Sequence, residues 1–282
     1  MSFPPFFCGL PFTGRQAGKK LAWLLAKGEI RQLLADVYVD TETLDSSELR
    51  ADAARLVLPA GAIACGQLAA WIHGIDTTAL GPKPPRAQWL REAADVVQIH
   101  GVPVISPIAT GVELAMQLSR PFALSAVDAL LRSGKADRWA IRAASASYEG
   151  QRGIKQAGEI LQYADRRAES PGESWLRLRL IDAGFGKPDL QVRVKASTRD
   201  YRLDLGHPDP VDGVRLGLEY DSDRWHSKDQ QQTRDAARRT ELAALGWHII
   251  PIRRTDLWGS YTALELAVGA FLCTWPRLPR RW

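Results

Sequence analysis

Apolar positions recur along this chain with two different periods, and the second half resolves most clearly. Trp175, Leu176, Leu178, Leu180 and Ile181 mark a helix over 173–181, ended by Ala183-Gly184. Pro188-Asp189-Leu190-Gln191-Val192-Arg193-Val194 reads as a strand. Two more strand-like runs follow at 201–205 and 214–221. Between them lies Gly206-His207-Pro208-Asp209-Pro210-Val211-Asp212-Gly213, rich in turn formers, so the pair is expected to form a β-hairpin. A helix over 229–245 with Gly246 after its end, a strand over 247–252 and a helix over 262–273 complete the series. Helix, strand, strand, strand, helix, strand, helix predicts an α/β sandwich with a mixed sheet.

The first half is shorter in its elements. Thr13 is a candidate N-cap for a helix with an apolar stripe of Leu21, Leu24 and Leu25. The chain then turns at Lys27-Gly28 into the strand-like run Leu34-Ala35-Asp36-Val37-Tyr38-Val39. A short helix, a basic turn and a terminal strand suggest half of a winged helix-turn-helix. Further helices are expected over 48–58 and 62–75, with His73 a structural residue at the end of the second. Gly81-Pro82-Lys83-Pro84-Pro85 makes 77–91 a loop. A short strand (96–100), an extended segment (101–107) and helices over 108–115, 121–132, 138–147 and 151–169 follow. The expected organisation is a winged-helix-like module (1–60), a mostly helical connector domain (61–150) and an α/β domain (151–282).

Composition adds limits. With 282 residues, 45% hydrophobic and 24% charged, the chain can bury real cores. A net charge of +5 allows a nucleic-acid partner without requiring one. Cys8, Cys65 and Cys273 are far apart and form no C-x-x-C, which argues against a zinc site or a disulfide framework and favours a reducing cytoplasm. The N-terminus lacks the pattern of a signal peptide, and no apolar run is long enough to cross a membrane. The ten tryptophans sit mostly in amphipathic patterns and read as core.

The candidate chemistry lies on the hairpin. Asp204 is on its first strand; Glu219 and Asp221, two apart on the second, share a face. Like charges placed together repel, and a divalent cation with oxygen ligands is the usual relief. Nearer the N-terminus, Arg15, Lys19, Lys20, Lys27 and Arg31 would supply phosphate contacts, with a merely solvated helix face as the competing reading.

Two resemblances follow from these residues. Gln16-Ala17, the Gly28 turn and residues 33–39 resemble the N-terminal winged-helix domain of AbiEi-type antitoxins, although Ala-Asp-Val-Tyr-Val lacks the usual Arg-Gly. Residues 62–75 and 105–115 are similar to segments of the same proteins. Residues 165–260 resemble the PD-(D/E)xK nuclease superfamily, in its very-short-patch-repair-endonuclease-like branch. That likeness rests on Ser170-Pro171-x-Glu173-Ser174, Arg202-Leu203-Asp204, Leu218-Glu219-Tyr220-Asp221, Trp225-His226, Arg234-Asp235, Arg238 and Leu245-Gly246-Trp247. It implies a restriction-endonuclease-like domain that hydrolyses phosphodiester bonds in DNA with Mg²⁺ (or Mn²⁺). Asp204 and Glu219 would be the metal ligands and Glu173 a further acidic group. Asp221 stands where the superfamily usually has Lys. His226 would act as general base, as a His does in the repair branch, and Arg234 and Arg238 would neutralise phosphate charge.

Structural readings stand beside these roles. Asp204 can pair with Arg202 or Arg238, Asp221 can cap a turn, His226 can be a satisfied structural histidine, and Glu173 can serve the helix macrodipole. The competing function is a non-enzymatic, antitoxin-like DNA-binding regulator with a degenerate nuclease fold. A defence or toxin–antitoxin role would add a protein partner.

Overall fold

In a computed structural model of the chain the described residues are 9–196, 199–221 and 229–282, the side chains of 229–236 excepted. The chain divides into two units, Met1–Gln162 and Tyr163–Trp282.

The first unit opens with β1 (Phe12–Thr13), α1 (Gly14–Ala17) and α2 (Leu21–Lys27), the helices separated by a 3₁₀ turn over Gly18–Lys20. Thr13 is the N-cap as expected, its hydroxyl accepting the Gln16 N–H while the Gln16 side chain accepts the Thr13 N–H. Gly28 ends α2 in the left-handed conformation, φ 69°. The single strand expected over 34–39 is instead a hairpin of β2 (Ile30–Leu34) and β3 (Val37–Asp40). The chain reverses at Ala35-Asp36, and Asp36 takes φ 64°, which Asp tolerates better than most residues. With β1 these make a three-stranded antiparallel sheet, order β1-β3-β2. Phe12, Leu24, Ile30 and Tyr38 form its core; Leu25, assigned to the same stripe, is exposed.

The rest of this unit is less purely helical than expected. Its α3 (Ser47–Arg55), α4 (Gly66–Ile72), α5 (Thr77–Leu80), α6 (Pro107–Gln117), α7 (Arg120–Arg132), α8 (Arg138–Ala144) and α9 (Ile154–Tyr163) accompany a four-stranded sheet. That sheet runs β5 (Trp89–Leu90), β4 (Ile63–Ala64), β7 (Val102–Ile105), β6 (Val96–Ile99). The segment 77–91 thus holds α5 and β5 as well as loop. His73 is buried at the end of α4 and donates from Nε2 to the Ile105 carbonyl (2.8 Å), which is the structural role expected of it.

The second unit follows the predicted order: α10 (Pro171–Asp182), β8 (Asp189–Lys195), β9 (Asp200–Gly206), β10 (Arg215–Asp221), α11 (Asp229–Ala244), β11 (Trp247–Arg253) and α13 (Ala263–Phe271). A short α12 (Arg254–Leu257), not foreseen, follows β11 directly. The sheet order is β11-β10-β9-β8; β8, β9 and β10 are antiparallel, and β10 runs parallel to β11 across the α11 connection. Val194, Tyr201, Leu203, Trp247 and Leu242 of α11 form the core cluster on one side. Leu203 alone, fully buried, stabilises the fold by roughly 2 kcal/mol.

Candidate active site

The sheet of the second unit forks. Strands β9 and β10 pair at Gly217↔Gly206 and Leu218↔Leu205 and then part, while β10 stays with β11 as far as Asp221↔Arg253. Asp204 sits at the fork. Its Oδ2 accepts the N–H of Tyr220 (2.8 Å), a donor that β9 would otherwise have satisfied with a carbonyl. Burial pushes the Asp204 carboxyl up to about 6. Within that rise the neighbouring Glu173 and Glu219 charges act in the same direction as burial, while the Tyr220 N–H and the Arg238 guanidinium oppose it.

Glu173 reaches the fork from the first turn of α10. Ser170 caps that helix by accepting the Glu173 N–H (3.2 Å), and its hydroxyl donates to Glu173 Oε1 (2.8 Å). The Glu169 N–H (3.0 Å) and Gln191 Nε2 (2.8 Å) both donate to Glu173 Oε2. With three donors near a helix N-terminus, the carboxylate is held in one place and is only 5% exposed. Gly172 lets this turn come close: a Cβ there would overlap the Tyr220 ring.

Glu219 is held from the other side. Arg238 of α11 makes a two-pronged pair with it, both N–O distances 2.5 Å, and reaches the Arg202 carbonyl (3.3 Å). Its guanidinium also lies over the Tyr201 ring, 5.6 Å from the centroid. Arg202 itself pairs with Glu169 (2.7 Å). The structure therefore brings Asp204, Glu173 and Glu219 together. Asp221 is exposed at the end of β10 and is not among the charges that act on Asp204. His226 and the side chain of Arg234 lie outside the described residues. In the first unit Arg15, Lys19, Lys20 and Lys27 are exposed, whereas Arg31 is half-buried and donates to the Thr43 carbonyl (2.8 Å).

The roles of Ser170, Glu169 and Gln191 were not foreseen. Ser170 and Glu173 stand three apart, the spacing of a capping pair, so the first was readable. Nothing in the local sequence marks Gln191.

Among the described residues no three His, Cys, Asp or Glu side chains form a ready-made metal cage. The donors that do meet are carboxylate oxygens, the type that Mg²⁺ and Mn²⁺ prefer. Burial does most to raise Asp204 and the Glu173 and Glu219 charges add to it; a cation would relieve both, so Asp204 and Glu219 fit one. Glu219 would have to exchange its guanidinium partner for it.

This geometry can be set beside known proteins. The chain is 37% identical over 209 residues to the uncharacterized protein Rv2248 of Mycobacterium tuberculosis (strain ATCC 25618 / H37Rv), a match that spans 70% of this chain and 76% of that one. The same figures hold for the uncharacterized protein MT2308 of strain CDC 1551 / Oshkosh. The chain belongs to their family. Within this Rv2248 family member, a model of the restriction-endonuclease-like family REase_MTES_1575 matches residues 179–265. That match takes in Asp204, Glu219 and Asp221 and begins after Glu173, and the second unit carries a restriction-endonuclease-like domain. A model of the AbiEi antitoxin C-terminal domain matches residues 83–163. The antitoxin likeness thus falls on α6 to α9 and the strands before them, downstream of the helix-and-hairpin segment first compared with an antitoxin N-terminal domain. No solved structure matches the chain significantly.

Proposed function

We propose that this protein is a DNA-binding, metal-dependent endonuclease whose active site is the fork between β9 and β10. The observation that carries the reading is Asp204: a half-buried carboxylate beside two others, at the break in a restriction-endonuclease-like sheet, with its pKa raised to about 6. Asp204 and Glu219 would hold Mg²⁺ or Mn²⁺. When bound, the cation would supply positive charge against a phosphate and a more acidic water. Glu173, fixed by its three donors, would add a third carboxylate to the site. Arg238, leaving Glu219, would turn its fork of donors to a phosphate oxygen. Asp221, at the position where the superfamily usually has Lys, and His226, as general base, remain part of the proposed site. The basic residues from Arg15 to Arg31, in a winged-helix-like module, would hold the DNA backbone, with the protein acting in the cytoplasm. Among the described residues no helix is long and apolar enough to cross a membrane.

The test is Mn²⁺ binding by calorimetry together with nicking of a supercoiled plasmid, for the parent and for Asp204→Asn/Glu219→Gln. Loss of both signals in the variant supports the reading; a parent that binds no metal and nicks nothing overturns it. In that event a second reading takes over, for which the AbiEi match at 83–163 and the Glu219–Arg238 pair speak. It is a regulator that binds DNA, and a toxin-like protein partner, through the first unit, with the acidic fork kept as scaffold. Co-purification with a protein partner and DNA binding that survives loss of the fork carboxylates would then be the result.

A further inference from the structure

Gln191 is placed where a residue of no function would not stay. It lies in mid-strand in β8, yet its φ is 55°, the left-handed region that favours glycine. The β8–β9 register, Leu190↔Leu205 and Val192↔Leu203 on either side, sets it opposite Asp204. From there its Nε2 donates to Glu173 Oε2 at 2.8 Å. Were the amide turned round, two oxygens would face each other at that distance, so the nitrogen is the donor and the orientation is fixed. The amide oxygen, Oε1, is buried and has no hydrogen-bond donor among the described residues. Buried acceptors are nearly always satisfied, so an orphan on the side chain that holds Glu173 and stands opposite Asp204 calls for a ligand.

We infer that Gln191 is a further residue of the cation site, its Nε2 positioning Glu173 and its Oε1 serving as a neutral oxygen ligand to the divalent cation bound by Asp204 and Glu219. The inference rests on the proposed metal site and deepens it. An ammonium or guanidinium would satisfy Oε1 as a donor, but at this place it would also compete for the carboxylates. A carbonyl oxygen adds coordination without adding to their repulsion. The left-handed backbone is explained on the same terms, because it aims the side chain of a sheet residue at the start of α10. Strain of this kind persists where a site over-determines it.

The experiment uses the full chain and Mn²⁺ alone. Gln191→Gly removes the side chain and suits φ 55°, so it is expected to melt no lower than the parent; Gln191→Leu keeps the bulk and loses the polar atoms. Both are expected to bind Mn²⁺ about tenfold or more weakly than the parent in calorimetry, the usual cost of losing a residue that orients or completes a metal site. Parental Mn²⁺ affinity in Gln191→Gly overturns the inference while leaving the Asp204–Glu219 site standing. A parent that binds no Mn²⁺ overturns both, and the two failures are told apart by the parent's own titration. A lowered melting temperature with unchanged Mn²⁺ affinity in Gln191→Leu makes the residue structural and also counts against it.

Discussion

A carboxylate raised to about 6 weakens the fold that holds it, and Asp204→Asn should show by how much. In the unfolded chain Asp204 titrates near 3.8, and in the folded one near 6. Well below pH 3.8 it is protonated in both states and the difference vanishes. As the pH rises from about 4 to 6 the unfolded state loses its proton first, so stability falls, and above 6 the loss is complete. About two pKa units correspond to about 3 kcal/mol. Asn has nearly the same shape, its Oδ1 can still accept the Tyr220 N–H, and it carries no charge to bury. Allowing for a weaker hydrogen bond from a neutral acceptor, the variant should be more stable than the parent by about 1–3 kcal/mol at neutral pH, and nearly equal to it near pH 4. Urea unfolding at several pH values, followed by circular dichroism, measures this directly. Saturating Mn²⁺ should reverse the order at neutral pH, because it stabilises only the chain that binds it. A variant less stable than the parent at every pH, or a difference independent of pH, would refute the argument that Asp204 is a strained charge.

Three other outcomes are expected. Arg238→Ala removes the partner of Glu219, so stability should fall by on the order of 1 kcal/mol while Mn²⁺ binds more tightly; weaker Mn²⁺ binding in calorimetry would show that the pair supports the site rather than competing with the cation. Gly172→Ala sets a methyl group against the Tyr220 ring and should cost about 1–3 kcal/mol in urea unfolding, so parental stability would mean that α10 does not press there. Replacing Lys19, Lys20 and Lys27 together by Ala should weaken DNA binding and flatten its dependence on log salt by up to about 3 units of slope, measured by fluorescence anisotropy; an unchanged slope would make those lysines a solvated face.

Local chemistry made some of this legible and left the rest hidden. In the second unit every element but α12 is seven residues or longer, so their order could be read directly, whereas the four-residue α12 could not. Residues 34–39 read as one strand because Ala35-Asp36 contains neither Gly nor Pro, and Asp36 took the left-handed turn unannounced. The strand at 96–100 and the extended segment at 101–107 were legible as β6 and β7, but β4 and β5 escaped because two-residue strands carry almost no period, and the β4–β7 pairing joins segments some forty residues apart. At the fork, Asp204, Glu219 and Glu173 could be named as candidates from motif spacing. That Arg238 would pair with Glu219, rather than with Asp204 as considered, depends on how α11 returns over β9 and β10. Gln191 depends on the register of β8 against β9. Neither can be seen without the tertiary structure.

The parallel pairing of β10 with β11 also bears on biosynthesis. Strand β10 has two rungs with β9 but seven with β11, and β11 ends at Arg253. A chain still being translated presents Asp204 and Glu219 early, yet the partner that straightens β10 and the helix that clamps Glu219 are made after both. The carboxylates therefore gather only after β11 has been made. A truncated product that stops before β11 would carry the motif residues without the assembled fork.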